Sequence, residues 1–349
     1  MKAGFAVGWD IGGANVKVAL AGPDGCIERV DVMPCELWRG LDRLATALAE
    51  APLPPPDQIA GHAVTMTGEL CDLFSDRCSG VQAIVEAMTV QLSGVDIGFY
   101  SLNGELLAAP QAIETWSTVA SANWMATAAF AAGHVERGLV IDVGSTTTDI
   151  VPMSGGRPVP AATTDATRLQ QGELLYAGAL RTPVMALVDQ VPWAGAWSGV
   201  AAELFATSAD VYRLTGDIGS DDDPAPAVDG SDKTVAGSAR RLARQVGVDF
   251  EPALLPAVRL LANHIADRQR ERLAAAVDRI CSRAPDSLPG TLVGAGVGRF
   301  MVSQLAQRRA MRYRDFGELP GMNGRSAAVA APACVMAVLA SRAARAARP

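Results

Sequence analysis

The stretch WDIGGANVKVAL (residues 9–20) holds a strand end, an aspartate, a glycine turn and a returning strand, and IDVGSTTTDIVPM (residues 141–153) repeats that order about 130 residues later. In the first copy the apolar run 5–9 meets Asp10, and Val16, Val18 and Leu20 then alternate with Lys17 and Ala19 up to the turn at residues 22–25. That pattern reads as a β-hairpin with a glycine-rich tip. In the second copy residues 138–142 form a buried strand, 143–148 the turn and 149–153 the way back. The duplication predicts two related domains facing each other.

Outward from the two hairpins the chain alternates helices and strands. Leucines 37, 41, 44 and 48 stand at helical spacing and stop at the proline-rich connector 52–56, which predicts a helix over 37–51. Residues 61–67 and 96–100 read as strands, with helices over 78–92 and 117–132. Residues 192–212 read as helical in their second part. Residues 216–232, with three successive aspartates and two prolines, read as a mobile acidic loop. Helices follow over 234–245 and 252–283, then a strand over 288–293, a third glycine turn at 294–298, a helix over 299–309 and a final one over 327–344.

Composition narrows the functional classes. A net charge of −7 leaves no overall electrostatic footprint for a nucleic-acid backbone, so nucleic acid is not an expected partner. The apolar run 326–340 is alanine-rich and broken by Pro332, too short and weakly apolar to span a bilayer. No membrane partner is expected. The N-terminus has no signal-peptide core, and the six scattered cysteines read as reduced thiols. A cytoplasmic protein is the expectation. His62, His134 and His264 show no ligand spacing. Lysine occurs only at positions 2, 17 and 233, which singles out Lys17 inside a motif.

An aspartate at a strand end followed by a tight glycine turn brings a carboxylate and a row of backbone N–H groups to one place. The N–H groups suit phosphate oxygens, and the carboxylate suits Mg²⁺ directly or through water. Asp10 and Asp142 are the candidate metal anchors and catalytic carboxylates, with turn capping as the plainer alternative for both. Gly12, Gly13, Asn15, Gly144, Ser145, Thr146 and Thr147 would surround the anion, joined by Gly294 and Gly296 of the third turn, and Lys17 would be its counter-charge.

DIGGANVKVA (10–19), GLVIDVGSTTTDIVP (138–152) and TLVGAGVGRFM (291–301) resemble the phosphate and nucleoside motifs of the acetate and sugar kinase/Hsp70/actin superfamily, in matching order, and the second motif is similar to that of its hydantoinase/oxoprolinase branch. The resemblance implies an α/β protein of two ribonuclease-H-like domains around a central phosphate-binding cleft, with the C-terminal helix packed back on the first domain, so that the first domain spans residues 1–137 plus 325–349 and the second residues 138–324. VTMTGELCDLF (64–74), SANWMATA (121–128), RLQQGELLYAGALRTPV (168–184) and ELFATSADVYRLTG (203–216) resemble the family of tetrahydromethanopterin-linked one-carbon-transfer proteins. That family includes a methanofuran-biosynthesis synthase.

The family resemblance implies a transferase that joins an aminomethyl-furanmethanol diphosphate to the phenol oxygen of a glutamylated tyramine or tyrosine, in methanofuran or methylofuran synthesis. Mg²⁺ is the implied cofactor, and ATP is possible but not required. Arg168, Glu173, Tyr176 and Arg181 are then candidates for the phenolic partner, against the alternative of a salt-bridge cluster with a packed tyrosine. Thr67 and Glu69 would line the cleft, and Asn123 and Trp124 an aromatic wall, although plain core packing is the first reading of Trp124. Two other functions stay open: an ATP-dependent kinase or oxoprolinase-type hydrolase, and a non-catalytic nucleotide sensor. A homodimer is possible.

Overall fold

A computed structural model describes residues 4–283 and 290–347. Its strands are β1 (Phe5–Ile11), β2 (Asn15–Ala21), β3 (Ile27–Pro34), β4 (Ile59–Met66), β5 (Ile97–Tyr100), β6 (Leu106–Leu107), β7 (Arg137–Val143), β8 (Thr148–Ser154), β9 (Arg157–Pro158), β10 (Leu174–Leu175), β11 (Gln190–Trp193), β12 (Ala196–Gly199), β13 (Thr291–Ala295) and β14 (Arg312–Asp315). Its helices are α1 (Leu41–Glu50), α2 (Arg77–Gln91), α3 (Ala109–Glu114), α4 (Trp116–Val119), α5 (Asn123–Ala132), α6 (Asp165–Gln171), α7 (Ser208–Thr215), α8 (Val235–Arg244), α9 (Leu255–Cys281), α10 (Arg299–Arg308), α11 (Gly324–Val329) and α12 (Ala331–Ala346). Two compact units emerge: Met1–Val140, Met153–Val159 and Arg314–Pro349 form one, and Ile141–Pro152 and Pro160–Tyr313 the other.

The first sheet has the order β3-β2-β1-β4-β5-β6. Its first three strands are antiparallel, while β4 runs parallel to β1 and β5 parallel to β4. Alternation along β1 sends Val7, Trp9 and Ile11 to one face, where they meet Val16 and Val18 of β2, Val64 and Met66 of β4, Leu44 and Leu48 of α1, and Val81, Ile84, Val85 and Met88 of α2. Each such side chain contributes about 1.5–3 kcal/mol on burial. The other face carries Gly8 and Asp10. A Cβ at Gly8 would stand 2.1 Å from both Ala333 O and Ala337 N, so α12 lies directly on β1.

The second sheet runs β10-β8-β7-β13-β14, with β9 beside β8. A glycine-turn hairpin, β1–β2 in one sheet and β7–β8 in the other, is thus followed outward by a strand from later in the chain, β4 or β13. This mixed α/β architecture of two ribonuclease-H-like units agrees with the fold expected from the superfamily resemblance.

Several elements differ from the sequence reading. The helix expected over 37–51 breaks at Gly40, whose φ of 145° separates a 3-10 turn (Leu37–Arg39) from α1. The helix expected over 117–132 is two helices, α4 and α5, separated at Ser121, which holds φ at 51°. Strand β3 and the hairpin β11–β12 have no counterpart in that reading; Ala194 and Gly195, at φ 49° and 81°, close the latter. The strand expected over 288–293 is β13, and its residues 288–289, like Lys2, lie outside the described residues. The acidic loop is tethered: Arg213 donates to Asp223 at 2.8 Å, and the buried Arg241 pairs with Asp210 at 2.8 Å and Asp229 at 3.2 Å. No helix among the described residues is long and apolar enough to cross a membrane.

Candidate functional site

In the first unit the β1–β2 turn closes through Gly12 N donating to Asn15 O at 3.0 Å. Its next two carbonyls face a supporting segment: Gly13 O accepts from Leu37 N at 3.0 Å, and Ala14 O from Cys35 N at 2.9 Å. The amides of Gly13 and Ala14 meet no acceptor among the described residues. A Cβ at Gly13 would stand 2.6 Å from Cys71 Sγ, so a glycine is needed for the loop after β4 to approach. That loop is fixed by Thr67 N donating to Ile11 O at 2.9 Å, and the Thr67 hydroxyl lies beside Gly12.

Asp10, at the end of β1, is 4% exposed. Lys17 faces it across the hairpin as its register partner, with Nζ 3.4 Å from Oδ2. Glu69 is buried and accepts a 2.6 Å hydrogen bond from Ser121 Oγ. Asn123, the first residue of α5, accepts from Trp124 N at 2.8 Å through its own side chain, and Trp124 is buried, in accord with core packing. Behind the turn, burial pushes the His62 imidazole down to about 4, where it stays neutral and accepts from Trp9 Nε1 at 3.2 Å. Burial, with Cys71 nearby, pushes the Cys35 thiol up to about 11.

The second unit builds a turn of the same design. Gly144 N donates to Thr147 O at 2.9 Å, Gly144 O accepts from Ala179 N at 2.9 Å, and Ser145 O accepts from Leu180 N at 3.1 Å and Arg181 N at 2.8 Å. The amides of Ser145 and Thr146 meet no acceptor among the described residues. Gly178 presses on this turn so closely that a Cβ would stand 2.4 Å from Ser145 O and 2.5 Å from Thr146 N. Gly296, at φ 80°, lies against Asp142: a Cβ there would be 2.5 Å from Oδ1. Gly294 has a different task, since it makes room for the Tyr313 ring.

Of the residues considered for a phenolic partner, Arg168 and Glu173 are engaged in holding the fold. Arg168 bonds Asp149 at 2.9 Å and Glu173 O at 3.1 Å, while the Glu173 carboxylate takes Ala161 N at 2.9 Å and Arg283 at 2.5 Å. Tyr176 and Arg181 are exposed. Sequence reasoning missed Thr65, Ser121 and Gly178. Of these, Thr65 carried a signal, a hydroxyl inside a largely apolar strand.

A Mg²⁺ ion on Asp10 would find Oδ2 already paired with Lys17 and Oδ1 sealed from solvent. Among the described residues no group of three or more His, Cys, Asp or Glu could hold a metal. The residues at Asp10 therefore do not fit a directly bound Mg²⁺.

The hydantoinase/oxoprolinase family model matches residues 60–340. The chain belongs to the hydantoinase/oxoprolinase family. It is 30% identical over 278 residues, 79% of its length and 82% of the relative's, to the (4-{4-[2-(gamma-L-glutamylamino)ethyl]phenoxymethyl}furan-2-yl)methanamine synthase of Methanocaldococcus jannaschii. A synthase of the same description from Methanococcus vannielii is 32% identical over 112 residues, 32% of this chain and 50% of that protein. Among solved structures, a nucleotide-free acetone carboxylase superposes over 95% of this chain and 69% of its own with a TM-score of 0.52 at 10% identity, a likeness of fold.

Proposed function

We propose that this hydantoinase/oxoprolinase family member is a biosynthetic transferase of methanofuran-type cofactors, forming an aryl furfuryl ether with diphosphate as the leaving group. The observation that carries this is the pair of turns whose carbonyls are taken up from behind and whose amides, at Gly13 and Ala14 and at Ser145 and Thr146, are left to receive an anion. The named product of the 30%-identical relative contains the phenoxymethyl-furan ether that such a reaction would make.

In the proposed reaction the bond between the furfuryl methylene and its diphosphate oxygen breaks, and both electrons leave with the diphosphate. The electron-rich furan spreads the positive charge left on the methylene carbon. The phenol oxygen then forms the new C–O bond and gives up its proton. Preorganised amides stabilise charge where it develops on the leaving group, and Lys17 adds a cation on the only lysine of the glycine-turn motifs. No ATP is consumed.

The test is mass spectrometry of the purified chain with Mg²⁺, aminomethyl-furanmethanol diphosphate and glutamylated tyramine or tyrosine, with and without ATP. Ether and free diphosphate without ATP, both lost in Asp10→Ala, support the reading. ADP formation without ether would overturn it in favour of a kinase or hydrolase.

A further inference from the structure

Two side-chain oxygens on one face of the first sheet have no partner in the structure. Asp10 Oδ1 and Thr65 Oγ1 are both sealed from solvent, and both lack a hydrogen bond. Their residues are register partners on the adjacent parallel strands β1 and β4, so their side chains leave the sheet side by side. On the other flank of Asp10 stands Lys17, also at the same register level. Lys17, Asp10 and Thr65 thus form a row across β2, β1 and β4.

The members of this row differ in freedom to move. Thr65 is fully buried and Asp10 is 4% exposed, whereas the Lys17 side chain keeps 28% of its surface. Its 3.4 Å contact to Oδ2 is long for a charge-assisted bond. Above the row, α12 rests on Gly8 through Ala333 and Ala337, and the buried Cys334 thiol of that helix feels the Lys17 charge. A thiol is a weak donor, so besides Lys17 the hydroxyl of Thr65 is the strong donor adjacent to Asp10.

We propose that Thr65 is a positioning residue that takes over the Asp10 carboxylate when Lys17 leaves it for an anionic ligand. In the ligand-free chain Lys17 neutralises Asp10 and the hydroxyl is held in reserve. As Lys17 turns to the anion, a rotation of the Thr65 hydroxyl toward Oδ1 replaces the lost partner, so the buried charge is not abandoned. A buried polar group without a partner calls for such an explanation. The inference rests on the reading of the β1–β2 turn as a diphosphate site.

Isothermal titration calorimetry with inorganic diphosphate tests it in the full chain. Thr65→Val, which keeps the shape and removes the hydroxyl, weakens diphosphate binding about tenfold, while Thr65→Ser stays within about threefold of the parent. In an Asp10→Asn background the valine substitution changes affinity by less than about twofold, because the charge it serves is gone. Equal affinity for parent and Thr65→Val, or a tenfold loss that persists in the Asp10→Asn background, overturns the inference while leaving the diphosphate site intact. A parent chain that binds no diphosphate overturns the site and this inference together. The ligand-free melting temperature of each variant separates a folding defect from the coupling.

Discussion

Lys17 and His62 carry charge questions that belong to single residues. Lys17 is tied to Asp10 at rest and is proposed to neutralise diphosphate, so Lys17→Ala raises KM for the diphosphate substrate by about 10- to 100-fold, read in steady-state kinetics. A fall confined to kcat, with KM unchanged, would remove Lys17 from binding. The buried His62 takes up a proton on unfolding more readily than when folded, its value lying at about 4 against an ordinary 6.5. Its contribution is therefore complete above about pH 6.5 and lost as the pH falls toward 4, by roughly 3 kcal/mol over the whole window. Denaturant titrations between pH 4 and pH 8 should show that loss, and His62→Asn, which keeps an acceptor for Trp9, should flatten it.

At the scale of elements, close backbone approaches decide more than side-chain contacts. The segment Gly178 to Arg181 shapes the Gly144–Thr147 turn through three N–H groups, and Gly178 has no space for a methyl group. Gly178→Ala displaces the turn and lowers diphosphate affinity by at least about tenfold, more than its effect on melting would suggest; unchanged affinity would free the turn from this support. Gly8→Val acts elsewhere. It drives α12 from β1 and costs about 3 kcal/mol or more in denaturant titrations, as expected where a side chain meets backbone that cannot yield. Ser121 shows the reverse economy: a non-glycine residue at φ 51° is strained, and its hydroxyl holds the buried Glu69 in return.

For the whole molecule, a ligand that binds only the folded chain raises its stability by mass action. Diphosphate at about 100 times its Kd adds about 2.7 kcal/mol to the structure that holds it and lifts the melting temperature by about 2–4 °C in calorimetry. ADP producing the larger shift would favour a nucleotide-using enzyme of the same fold.

The two hairpins were legible because their information is local. Asp10 and Asp142, the glycines beside them and the alternation that follows are neighbours in sequence, and tight turns impose residue types directly. The repeat also revealed the α/β fold, since strand periodicity and a duplicated motif survive without coordinates. Trp124 as a core residue could be anticipated from its helix. Pairings between distant segments were not available: nothing near Thr65 names Asp10, nothing in 177–182 announces that Gly178 lies on Ser145, and Ser121 reaches Glu69 across 52 residues. Arg168 and Glu173 were open to a binding role until tertiary contacts engaged Arg168 with Asp149 and Glu173 with Arg283. Local backbone chemistry determined where the turns are, while packing between remote segments decided which of their carbonyls are occupied, which amides are left, and which carboxylate keeps an unmet oxygen.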